Sequence, residues 1–314
     1  MAKITGEALA GIRLMICMAK ADGVLRTEER YQLEDALAGV DLPDGLTIGT
    51  LLEEQNDPGK LATEITAAEA RDSVYASVFA MAYADREMAP SEAKIISMLR
   101  KTWTIHQDEE KDLARALDAV HDATEHLGAS AQERLPEKER EPRFQRLLLR
   151  CSLLTGLTGA IPVPLVPSLL IVPLQVKMVY DIARLHGQRA DKHTVQLMFE
   201  TLGVGAGCQL AILELARLIP GIGSVIGAAG SFASTYGLGK VADVYYKNDG
   251  KTPIEALKPL YLEERKKGKA EFEKHKEVLA EAHDHHEDEI RQLAFELQQG
   301  KISTKEYEEK MDKL

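Results

Sequence analysis

The densest set of side chains able to do chemistry is HDHHEDE at residues 283–289, which offers imidazole nitrogens and carboxylate oxygens of the kind that hold a metal ion. On a helix, His283 with Glu287 and His285 with Glu289 stand four apart and share a face. The run completes no HExxH motif, and alternating His and carboxylate on a charged helix fits a solvated face better than a centre. The spaced glycines of GVGAG, residues 203–207, follow a helical pattern rather than a strand and lack a downstream acidic residue for a ribose, so they read as packing. No serine or cysteine stands in a nucleophile-elbow pattern, and the chain is expected not to be an enzyme.

The elements that must position these residues are helices. Alternating β-branched residues never persist, while apolar residues recur at helical spacing, which predicts an all-α fold. A first helix is expected over about Thr5–Ala21, with Ile12, Met15, Ile16 and Ala19 on one stripe. Asp22-Gly23 ends it, and Thr27 caps a second helix that begins Glu28, Glu29, Arg30. The construction returns 63 residues later: MICMAKAD, ending at Asp22, aligns with VFAMAYAD, ending at Asp85, and Glu29 falls opposite Glu92. In the second copy Arg86 replaces Gly23, and Pro90, suited to a first helical turn, replaces Thr27. On elementary grounds the aspartates close helices and the early glutamates favour the next helix dipole.

This duplicated pattern of Ala-Asp with Glu seven residues on resembles the TerB family of tellurite-resistance proteins and a related domain of membrane-anchored co-chaperones, over residues 1–127. The resemblance implies a helical domain whose acidic turns bind a divalent metal, Ca²⁺ or Mg²⁺, or a protein partner. That role would fall on Asp22, Glu29, Asp85 and Glu92. The alternating ligands of an EF-hand are missing, so a cation site would need both repeats brought together by the fold.

Residues 128–142 (GASAQERLPEKEREP) are charged and hold two prolines, which reads as a linker or a broken helix. From Cys151 to Val176 there are 26 residues without a charge. A run of about 20 apolar residues crosses a bilayer core, but here prolines 162, 164, 167 and 173 divide the run at IPVPLVP into pieces too short to cross separately. Two readings follow: a re-entrant hairpin or a buried helical hairpin. Arg143, Arg146 and Arg150 precede the run, and Lys177, Arg184, Arg189 and Lys192 follow it, so both flanks are cationic. Lipid would then be met by Leu157, Ile161, Val163, Leu165, Val166, Leu169, Leu170 and Ile171. A second uncharged stretch, Leu218–Gly239, carries small residues every three or four positions, a ridge for close helix packing.

Together LLTGLTGAIPVPLVPSLLIVPLQVKMVYDIARLHG and ARLIPGIGSVIGAAGSFASTYGLGKVADVYY resemble the domain-of-unknown-function family of YcjF-like inner-membrane proteins, over about residues 145–247. That resemblance implies a helical membrane-associated domain met in proteins associated with GTPase modules. The chain itself has no GxxxxGK[ST], so nucleotide hydrolysis would come from a separate GTPase-type partner. The closing ELQQGKISTKEYEEKMDKL resembles the SHOCT motif, a short helical hairpin, which implies oligomerisation or contact.

The expected organisation is a TerB-like helical domain at 1–127, a linker at 128–142, an apolar domain at 143–250, and a charged helix with a terminal hairpin at 251–314. A net charge of −11 over 314 residues, with no basic stripe, repels phosphate backbones, so nucleic acid is not an expected partner. Cys17, Cys151 and Cys208 are odd in number and set in apolar sequence, as reduced buried thiols are. MAKITGEALAG lacks the cationic start and short apolar run of a secretory signal. The resulting expectation is a cytoplasmic adaptor or sensor of envelope or metal stress, on the inner face of the membrane, with lipid, a protein partner and further copies of itself as contacts. A soluble helical scaffold for protein contacts is the alternative.

Overall fold

The computed structural model describes residues 6–21, 30, 42–43, 45–83, 88–106, 110–111, 113–114, 134–161, 166–202, 223–298, 301–302, 304–311 and 313. Among them there is no strand, and the protein is all-α. The chain forms two compact units, one built mainly on Met1–Asp118 and the other on Ala119–Ile161, Val166–Val204 and Ala228–Leu314.

The first unit contains α1 (Gly6–Ala19), α2 (Ile48–Glu53), α3 (Pro58–Glu64), α4 (Ala68–Ala82) and α5 (Pro90–Trp103). α1 packs on α2, α3 and α4, and α5 packs on α3 and α4. Leu14, Met15, Ile16, Leu51, Ile65, Val74 and Leu99 fill the space between them. The ends are fixed by local hydrogen bonds. Asp57 caps α3 by accepting from Gly59 N at 2.8 Å, with Pro58 in the first turn, where no N–H is needed. Arg13 forks onto Glu54 at 2.7 and 2.9 Å, joining α1 to the residue after α2. The internal duplication is visible in the helix ends, since α1 stops at Ala19 and α4 stops 63 residues on, at Ala82.

The second unit contains α6 (Glu137–Gly159), α7 (Val166–Leu185), α8 (Lys192–Leu202), α9 (Gly223–Lys247), a 3₁₀ turn at Ile254–Leu257, α10 (Lys258–Gln298) and α11 (Thr304–Met311). The expected linker at 128–142 gives way to helix sooner than its charge suggested. α6 starts at Glu137 and runs through Pro142. Pro142 removes only the bond that would reach the Lys138 carbonyl, and it sits on an exposed face where water reaches that oxygen.

The apolar run divides where its prolines require, with α6 ending at Gly159 and α7 starting at Val166, while Pro173 is accommodated inside α7. α6 and α7 pack along each other as an antiparallel hairpin. The pairing is recorded by α9, because a methyl built on Gly239 would come within 2.4 Å of Leu148 Cδ1 and 3.3 Å of Met178 Cε. Phe232 of α9 meets Phe272 of α10 edge to face, with centroids 5.8 Å apart, beside Ala160, Ala228 and Leu279. Among the described residues, no helix is long and apolar enough to cross a membrane.

Candidate functional site

The four carboxylates expected to form a cation or partner site divide. Asp22, Glu29 and Asp85 lie outside the described residues, and Glu92 lies inside them. Glu92 is the third residue of α5, and its Oε2 accepts a hydrogen bond from Ala89 N at 2.8 Å. That bond satisfies an N–H at the helix start. Ca²⁺ or Mg²⁺ would have to compete with this capping bond for Glu92.

In the histidine cluster two rings turn to neighbours on their own helix, while His283 Nδ1 lies 3.7 Å from Asp284 Oδ1 and its buried Nε2 has no hydrogen-bond partner among the described residues. His285 Nδ1 lies 2.8 Å from Glu281 O, and His286 Nδ1 lies 3.0 Å from Glu289 Oε2. Glu289 therefore pairs with His286 three residues back, and not with His285 as the four-residue spacing predicted, because the helix breaks at His286 (φ −122°, ψ 17°). The Glu287 side chain is outside the described residues, as is GVGAG. Among the described residues, no group of three or more His, Cys, Asp or Glu converges as a metal site would require.

Of the side chains expected to meet lipid, Ile161, Leu170 and Ile171 are buried, and Leu157 is half-buried against the Phe232 cluster. The side chains of Val163, Leu165, Val166 and Leu169 lie outside the described residues. Elsewhere along the hairpin, Thr155, Gly156 and Gln175 meet α9, and α10 packs on both arms.

Where the hairpin meets α9, the contact is polar at its centre. Thr235 Oγ1 donates to Ser231 O at 2.9 Å and accepts from Thr155 Oγ1 at 2.8 Å and from Gln175 Nε2 at 3.0 Å. Three helices are thereby tied at one buried oxygen. The residue after Thr155, Gly156, faces Phe232 and the Ala228 carbonyl, where an added Cβ would stand at an ordinary 3.5–3.6 Å. Ser234 and the Tyr261 hydroxyl, 3.1 Å apart, extend the polar line to α10.

At the other end of the same helices, His186 is 1% exposed and its Nε2 lies 2.8 Å from Asp243 Oδ1. It follows the last turn of α7, and Gly187 turns the chain away at φ +68°. A Cβ on Gly187 would stand 2.6 Å from the backbone N of Arg134, so close approach requires glycine there as well. Among the described residues His186 Nδ1 has no hydrogen-bond partner. A histidine held by a carboxylate is the arrangement that serves a general base, but this ring is sealed from any substrate in the present conformation. Its evident work is to tie the end of α7 to α9.

Sequence reasoning did not single out His186, Thr155, Thr235 or Gln175. The available signal was a histidine directly before a glycine at a helix end, together with isolated polar residues at helical spacing in an otherwise apolar run. Electrostatic shifts occur in both units, and two in the first have plain causes. The Arg13 guanidinium holds Glu54 below the ordinary carboxylate range, and burial pushes the Cys17 thiol up to about 11. Cys17 is accordingly an unreactive thiol at neutral pH. Compared with models of protein families, with curated proteins and with solved structures, the chain matches none.

Proposed function

We propose that the protein is a non-enzymatic helical adaptor whose resting form is closed. The observation that supports this reading is that Ile161, Leu170 and Ile171, from the longest uncharged run, are buried in the folded chain. A run kept in that state serves as a packing core, which leaves the acidic outer surface to meet partners. In this reading the TerB-like first unit is the docking module for a protein partner, with the carboxylates of the acidic turns as contact points. Envelope or metal stress is the setting that the resemblance supplies.

The second reading places the adaptor on the inner face of the cell membrane, through the hairpin. It is favoured by the cationic residues on both arms, of which Arg143 and Arg146 are exposed on α6. Flotation of the full chain with phosphatidylcholine–phosphatidylglycerol vesicles, at low and high salt, separates the two. A chain that stays at the bottom of the gradient supports the closed scaffold. A chain that floats and is not released by salt replaces it with constitutive insertion.

A further inference from the structure

The second half of α10 turns two different faces in opposite directions. Leu279 and Ile290 are buried and stand eleven residues apart, close to three full turns, so the buried stripe keeps its phase through the bend at His286. Roughly opposite it runs a line at alternating spacings of three and four residues: Val278, Glu281, His285, Asp288, Gln292 and Phe295. All six are exposed. Only Val225, Val278 and Phe295 are exposed large apolar side chains among the described residues, and two of these three close the two ends of this one line, 63% and 52% exposed. A lone surface valine is ordinary, but a pair that brackets a regular polar line is a pattern the chain's own packing does not use.

The line is complementary to itself when read backwards. About a twofold axis between positions 286 and 287, an antiparallel copy sets Val278 opposite Phe295, Glu281 opposite Gln292 and His285 opposite Asp288. Apolar side chains then meet at both ends, a carboxylate meets an amide, and an imidazole meets a carboxylate. On the flank Asp284, 82% exposed, comes opposite Arg291, whose five donors can serve a second carboxylate beside the contacts it makes in its own chain. A parallel copy would instead stack Glu281 on Glu281 and Asp288 on Asp288, in a chain that already carries a net charge of −11.

We infer that the outer face of α10, from Val278 to Phe295, is the contact surface for a second copy of this chain, which binds antiparallel with the twofold at the His286 bend. The inference stands apart from the docking role given to the first unit and from the membrane reading, and it survives the failure of either. The line is about 25 Å long and apolar only at its ends, so the pair is weak and its population depends on concentration.

The test is analytical sedimentation of the full chain over about 1–300 μM, with circular dichroism to confirm that each variant is folded. The wild type should pass from monomer towards dimer across that range. Val278→Glu and Phe295→Glu, both at exposed positions, should each weaken association by about tenfold or more. Asp284→Arg should weaken it by about threefold or more, and Asp284→Arg with Arg291→Asp in the same chain should recover it. For orientation, Val278→Cys with Phe295→Cys should give an oxidised cross-linked dimer, and Val278→Cys alone should not. A chain that stays monomeric at the highest concentration overturns the inference, and so does a dimer that both glutamate variants leave intact, which would put the contact elsewhere. A charge-swapped chain no better than Asp284→Arg overturns the flank pairing, and cross-linking by Val278→Cys alone overturns the antiparallel arrangement.

Discussion

Glu54 shows how a single side chain governs the response of the first unit to pH. Arg13 donates two hydrogen bonds to its carboxylate and holds its pKa below the value of an unfolded chain. A group depressed in the folded state contributes stability above its unfolded pKa, and that contribution is lost as pH falls through the folded value. The first unit should therefore weaken as pH drops through and below the ordinary carboxylate range. Glu54→Gln should cost about 1 kcal/mol at neutral pH and reduce the acid sensitivity, as read by denaturant titration at several pH values. Neither partner was legible in the sequence, because they stand 41 residues apart and nothing local marks them as a pair. Pro90 and Glu92 were legible, because a proline at the first helical position and a glutamate at the third act within one turn.

For whole elements, close approach decides the sign of a substitution. Gly268 lies in α10, where alanine would ordinarily favour the helix over glycine. Here a Cβ would stand 3.0 Å from both Ala233 Cα and Tyr236 Cβ of α9, neither of which is the free end of a flexible side chain. Gly268→Ala should consequently lower the unfolding free energy by about 1–3 kcal/mol, measured by chemical denaturation of the full chain. The helix type and the division of the apolar run could be read from spacing and from the prolines of IPVPLVP, both local signals. What could not be read was that α6 begins at Glu137, inside an apparent linker, because exposed charged residues suit either a linker or a solvated helix. The threonine knot on Thr235 was hidden for another reason: its three contributors come from three helices and meet only after packing.

On the scale of the molecule, each unit encloses its own core. Met15 belongs to the first, amid Leu14, Leu51, Val74 and Leu99, while Val179 and Ile182 belong to the second. Met15→Ala should cost about 2–5 kcal/mol, and the loss should appear as faster exchange in α1, α4 and α5 with α7 and α9 unchanged. Equal loss in α7 would mean that the two cores unfold as one. The duplication of helix ends at Ala19 and Ala82 foreshadowed the first of these cores. The second was outlined only in part, since Tyr307 and Met311 stand on one face of the closing hairpin pattern but nothing local shows that they are buried against α6 and α7.

Tyr307 and Thr158 are 149 residues apart. At about 5–20 residues per second, a ribosome takes about 7–30 s to make what lies between them. The hairpin forms from neighbouring residues far sooner than that. Each newly made molecule therefore passes through a timed interval in which Thr158 is in place and Tyr307 is not yet made. Whatever the emerging chain meets in those seconds acts on it before Tyr307 can pack on Thr158.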